Sequence, residues 1–146
     1  MSAESCPLPS EPRSEEQGAI QRMLGAKRIG IVGLSDDPGK ASFGVGQYLQ
    51  QQGYEIVPIN PKVQQVLGVR AWPSLAALDR PVDMALVFRR SEYCADVARE
   101  AIAAGVKGIW LQSGIRNEQA KELAKQAGVD FVEDRCMMVT HMRQKG

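Results

Sequence analysis

Short apolar runs alternate with longer stretches of helical spacing along most of the chain. RIGIV, Arg28 to Val32, is too short and too apolar for an exposed helix, and Gly33 stops it, which predicts a buried first strand. SFGVGQYLQQQG starts at Ser42, a good N-cap, carries Val45, Tyr48, Leu49 and Gln52 at helical spacing, and closes at Gly53, a residue type suited to a C-cap. YEIVPIN then predicts a second strand ended by Pro61, and VQQVLGVRAWPSLAAL a short helix, a short extended piece and a further helical turn. VDMALVF is a third strand. A helix follows from Ser91, with Cys94, Val97, Ala98, Ala101 and Ile102 on one face and Glu92, Asp96, Arg99 and Glu100 on the other, and Gly105 ends it. GIWL is a fourth strand, Asn117 caps a helix that turns Ala120, Leu123, Ala124 and Ala127 inward, and VDFVED is a fifth strand leading to RCMMVTH. Ahead of these, Ser14 with Gln17 three residues on forms a capping box for a short helix through Ile20, Met23 and Leu24, expected at the edge of the domain.

This alternation predicts an α/β fold of three layers: a mostly parallel sheet of about five strands with helices on both faces, because right-handed crossovers send helices to alternate sides where the strand order reverses. A chain of 146 residues has the usual size of one domain, expected over residues 14–146, while residues 1–13, rich in proline and acids, are expected to be a disordered tail. Eighteen basic residues face 17 acidic ones, so no large field draws the chain to nucleic acid or a membrane surface, and any anion site has to be local. No apolar run approaches the ~20 residues of a membrane span. The cysteines, Cys6, Cys94 and Cys136, are odd in number and lack C-x-x-C spacing, which argues against a disulfide framework and a zinc site and for a cytoplasmic protein.

In parallel sheets of this kind ligands gather outside the carboxyl ends of the strands, which here carry GLSDDPGKAS, NPK, FRRS, LQSG and EDRC. Gly33 allows close backbone approach, Ser35 and Ser42 offer hydroxyls, and the helix starting near Ser42 aims free amides at an anion. The plainer reading has Gly33 only turning the chain and Ser42 only capping, and the full G-x-G-x-x-G spacing is missing. After the second strand, where NAD sites place an acid for the ribose diol, the chain reads Asn60, Pro61, Lys62; the lysine favours a phosphorylated ribose, as in NADP or coenzyme A. Arg89 and Arg90 follow the third strand, and only one of two consecutive extended residues can face a ligand. Phe88 is an adenine or pantetheine contact or, more commonly, core.

From about Arg28 to His141 the chain resembles the small CoA-binding protein family, which is similar to the nucleotide-binding domain of the succinyl-CoA synthetase alpha chain. The resemblance lies in VGLSDDP, ASFGVGQYL, GYEIVPINPK, VLGVRAWPSL, VDMALVFRRSE, GIWLQSGIRNEQA and FVEDRC, in that order. It implies a Rossmann-like fold with coenzyme A, free or acylated, across the strand ends. Carried over by residue, it implies contacts from Gly33, Leu34, Ser35, Pro38, Lys40 and Ser42 in the first loop and helix start, from Asn60, Pro61 and Lys62 after the second strand, and from Val87, Phe88 and Arg89 at the third. Gly44 departs from the pattern, since relatives often carry a basic residue there. The synthetases need further domains, one with a phosphorylated histidine, so the expectation is non-catalytic binding, regulatory or with a protein partner. The alternative is an NADP-dependent oxidoreductase or redox sensor. His141, the single histidine, can be weighed as a general base with Asp134 or as a thiol partner of Cys136, but a lone histidine near a terminus more often caps or packs and the sequence shows no third orienting group. Cys136, which could form a mixed disulfide with coenzyme A, reads first as a small hydrophobe.

Overall fold

A computed structural model describes residues 14–145, the side chains of Ser14 and Lys145 excepted. The expected tail with Cys6, and the side-chain half of the Ser14 capping box, lie outside the described residues. In chain order come α1 (Ser14–Leu24), β1 (Arg28–Val32), α2 (Ala41–Gln51), β2 (Glu55–Ile59), β3 (Gln65–Val66), β4 (Val69–Arg70), β5 (Met84–Val87), α3 (Cys94–Ala103), β6 (Gly108–Leu111), α4 (Glu118–Ala127), β7 (Asp130–Val132) and α5 (Met137–Lys145), with 3-10 turns at Leu75–Ala77 and Ser91–Tyr93. Five strands form one parallel sheet in the order β2-β1-β5-β6-β7. The order reverses between β1 and β5, because the chain leaves β1 toward β2 on one side and returns to β5 on the other.

Alternation within each strand divides the core. Ile29, Ile31, Ile56, Met84, Leu86, Trp110 and Val132 meet α1, α2 and α5 through Ile20, Met23, Val45, Leu49 and Met137. Val32, Val57, Ile59, Ala85, Val87, Ile109 and Leu111 meet α3 and α4 through Cys94, Val97, Ala98, Ala101, Ala120 and Ala124. Strands apolar on both faces are the signature of a sheet covered on both faces, so the layered α/β expectation holds. No described helix is long and apolar enough to cross a membrane.

Four local expectations need correction. Helix α2 begins at Ala41 with Lys40 as its N-cap, so Ser42 lies inside the first turn, buried, and its hydroxyl does not cap. The segment expected to begin as a short helix after Lys62 forms the antiparallel hairpin β3–β4, because Leu67 (φ 55) and Gly68 (φ 77) both take the left-handed conformation of a two-residue hairpin turn. Ala127 is exposed, not inward. Strand β7 is shorter than VDFVED because Asp134 (φ 57) turns the chain, and RCMMVTH, given no element, opens helix α5. Helix α1 sends Ile20 and Met23 into the core as well as contacting the edge strand β7.

Candidate functional site

The five strand ends fall into two groups that differ in how their polar atoms are used. At β6 and β7 they are spent on one another. The Asp134 carboxylate accepts from the Gly114 amide at 2.7 Å and from the Arg116 guanidinium at 2.9 and 3.1 Å. The Gly114 bond, with Arg116 behind it, holds the Asp134 carboxyl below the ordinary aspartate range. Asn117 caps α4 by accepting from the Ala120 amide at 2.8 Å while its own amide group donates to the Ser91 carbonyl at 2.7 Å, and Arg116 N–H donates to the Ser91 hydroxyl. The buried Gln112 side chain accepts from the Met137 amide at 2.8 Å and so caps α5, and the Trp110 indole donates to the Arg135 carbonyl. Arg135 itself pairs with Glu16.

The ends of β2, β1 and β5 are different. Gly33 leaves β1 with φ +87, its amide donates to the Ile59 carbonyl at 2.8 Å, and a Cβ placed there would lie 2.7 Å from the Phe88 carbonyl oxygen. Glycine is therefore required by the chain's own close approach at the point where the strand order reverses. Leu34 is fully buried, so only its main chain faces the loop. The Ser35 amide donates to the Ser42 hydroxyl at 3.0 Å, the Asp37 amide to the Ser35 hydroxyl at 3.0 Å, and the Gly39 amide to the Asp37 carboxylate at 2.9 Å. These bonds fold the loop and bring Lys40 to the helix start; Asp36, Asp37, Pro38 and Lys40 are exposed. The hydroxyl of Ser42 thus braces the loop from inside.

The start of α2 remains open. The first carbonyl available to it, that of Lys40, takes the amides of Phe43 and Gly44, which leaves Ala41 and Ser42 without a hydrogen-bond acceptor among the described residues. Its first turn has no acid and its N-cap no side-chain bond. The other helices are compensated: α1 by Glu15 and Glu16, α3 by Asp96, α4 by Asn117 and Glu118, α5 by Gln112. Uncompensated amides at the positive end of a helix dipole favour an anion.

Four cations stand on the loops at these strand ends. Lys62 follows β2, Lys40 caps α2, and Arg89 and Arg90 follow β5; all are exposed, and none pairs with a carboxylate among the described residues. Lys62 and Arg89 follow the two strands that pair with β1, one on each side of it. The Arg89 guanidinium lies over the Tyr93 ring at 4.9 Å. Pro61 is exposed, Val87 is buried core, and Phe88 is half-buried against the α2 side of the sheet. Asn60 is half-buried and its side chain bonds within the protein.

The groups considered for catalysis are dispersed. His141 meets the Tyr48 hydroxyl through Nδ1 at 2.7 Å and stands edge-on to Tyr48 and Tyr54, while Asp134 is committed to Gly114 and Arg116. Burial pushes the Cys94 thiol up to about 11, and Cys136 packs half-buried at the start of α5. No three metal-ligating side chains converge among the described residues. The ring pair of Tyr54 and His141 lines a shallow depression with Leu24 and Lys27 at the opposite end of the sheet.

A family model described as CoA binding domain matches residues 27–142. The chain belongs to this CoA-binding domain family. The CoA-binding domain is 40% identical over 129 residues to the uncharacterized protein YneT of Bacillus subtilis (strain 168), covering 88% of this chain and 93% of that one. A hypothetical protein from Pyrococcus horikoshii OT3 superposes with a TM-score of 0.86 at 28% identity, over 95% of this chain and all of the other. The domain is also 29% identical over 115 residues to acetate–CoA ligase [ADP-forming] II of Archaeoglobus fulgidus, covering 70% of this chain but spanning only 17% of the ligase. Family membership supports coenzyme A binding in general, and the Rossmann-like fold is shared with the solved relatives. Sequence reasoning missed the internal duties of Ser42 and Asn60 and the capping role of Gln112. The one legible signal was the Asn-Pro dipeptide, a turn-former whose side chain bonds its own backbone.

Proposed function

We propose that this chain binds coenzyme A or an acyl-CoA across the ends of β2, β1 and β5, without catalysing a reaction of its own. The observation that carries the proposal is the uncompensated start of α2 at the point of strand-order reversal, with Lys40, Lys62, Arg89 and Arg90 on the loops at the ends of the same strands. The amides of Ala41 and Ser42 receive the diphosphate, Lys62 the ribose phosphate, and Lys40 with one of Arg89 and Arg90 the flanking charge. Pro38 shapes the first loop, while Leu34 and Val87 contribute through the backbone and the wall. Bound coenzyme A supplies a thiol able to carry an acyl group; the protein's part is to hold and present it.

Dispersal of His141, Asp134 and the cysteines supports a binding role over chemistry. That acetate–CoA ligases carry a similar region within longer chains supports presentation to a protein partner. Calorimetry with purified protein tests the reading against CoA, dephospho-CoA, NADP and NAD, with CoA expected to bind most tightly. Lys62→Ala should weaken CoA by roughly 1 to 3 kcal/mol, as for a charged hydrogen bond, and leave dephospho-CoA almost unchanged. Equal losses for both would remove Lys62 from phosphate recognition, and NADP binding more tightly than CoA would overturn the ligand.

A further inference from the structure

Asn60 stands between the two halves of the proposed site and has its side chain committed to both. Its Nδ2 donates to the Leu34 carbonyl at 3.0 Å, across 26 residues of sequence, and its Oδ1 accepts from the Lys62 amide at 2.9 Å. One partner is a carbonyl and the other an N–H, so the amide has a single satisfying orientation. Its main-chain N–H is also used, donating to the Trp72 carbonyl at 2.8 Å, and Trp72 N–H returns to the Pro58 carbonyl at 2.9 Å. The end of β2 is therefore tied at three points: to the first loop, to its own turn and to the strap that follows the hairpin.

We infer that Asn60 is a positioning residue that sets the phosphate selectivity of the site by fixing the Lys62 turn against the first loop, and does not itself touch the ligand. The inference rests on the reading that Lys62 receives the ribose phosphate. An ammonium on a flexible four-carbon stem recognises one phosphate over solvent only when its backbone is held in place. The bond from Lys62 N–H fixes the turn, and the bond to the Leu34 carbonyl fixes that turn relative to the amides of α2. Alanine removes both ties while leaving every charge where it is.

The experiment is a double-mutant cycle on the ratio of dephospho-CoA to CoA dissociation constants, measured by calorimetry for wild type, N60A, K62A and N60A/K62A, with thermal melts alongside. The expected result is a wild-type ratio of roughly tenfold or more, falling to a similar low value in all three variants, because Asn60 acts through Lys62. N60S, whose hydroxyl can still accept from the Lys62 amide but does not span to Leu34, should give an intermediate ratio and supplies the reading if N60A fails to fold. A wild-type ratio in N60A or, failing that, N60S overturns the inference while leaving Lys62 in place, as does a further fall when N60A is added to K62A. No discrimination in the wild type, or full discrimination in K62A, overturns the Lys62 reading and the inference with it.

Discussion

Replacing Gly33 by alanine tests the strand-end architecture directly. Two costs add. The residue sits at φ +87, a left-handed conformation that charges a Cβ-bearing residue about 1–2 kcal/mol. The new Cβ would also lie 2.7 Å from the Phe88 carbonyl oxygen and 3.2 Å from its carbon. Those are backbone atoms, held by the Phe88 amide bond to the Val32 carbonyl at 2.8 Å, so the contact can be relieved only by parting β1 from the end of β5. Overpacking of that kind costs about 1–3 kcal/mol. The sum, about 2–5 kcal/mol, corresponds to a melting temperature lower by roughly 4–20 °C for a chain of this length. Urea denaturation with calorimetric melts measures it, and Gly44→Ala is the control. Gly44 is an exposed helical residue with open space at its Cβ position, so alanine there should stabilise by up to ~1 kcal/mol. A G33A protein within about 0.5 kcal/mol of wild type would refute the close approach, because surface-like tolerance is incompatible with that contact.

Other outcomes follow from the same geometry. Asp83 accepts from the amides of Arg28 at 3.0 Å and Lys27 at 2.9 Å, bonds that lower its pKa from the ordinary 3.8. Its stabilising contribution is present above that unfolded-state value and is lost as pH falls through the lower folded value. The stability gap between wild type and Asp83→Asn, measured by urea denaturation, should therefore shrink on acidification below pH 3.8, and a gap independent of pH would contradict the assignment. With Cys6 replaced by serine, a thiol reagent at mildly alkaline pH should modify Cys136 in the folded protein and Cys94 only on unfolding, since Cys94 is fully buried with its thiol raised to about 11. Equal rates for the two would show that the α3 side of the core opens more readily than its packing allows.

Strand positions were legible because buried parallel strands are short apolar runs punctuated by glycine or proline, as RIGIV-Gly33 and GIWL illustrate. The hairpin was not, since β3 and β4 have two residues each, too few for any period to register. Helix α5 was hidden because its cap comes from Gln112, 25 residues upstream. The same distance effect governs the site. Loops at strand ends could be named from topology alone, and Lys62, Lys40 and Arg89 stand there with no carboxylate partner among the described residues. What the side chains do is set by partners remote in sequence: the Asn60 amide donates to the Leu34 carbonyl, and Ser42 looks like a cap until the Ser35 amide is found on its hydroxyl. Lys40 was overlooked as the N-cap residue because its side chain offers no acceptor for capping.

Coenzyme A is expected at the ends of β2, β1 and β5. Titrating isotopically labelled protein with CoA and following backbone amides by NMR addresses this most directly. The largest shifts should fall on Ala41, Ser42 and Lys62, with Lys27, Tyr54 and His141 at the other end of the sheet unmoved. Shifts concentrated around Tyr54 and His141, with Ala41 and Ser42 unchanged at saturation, would contradict it.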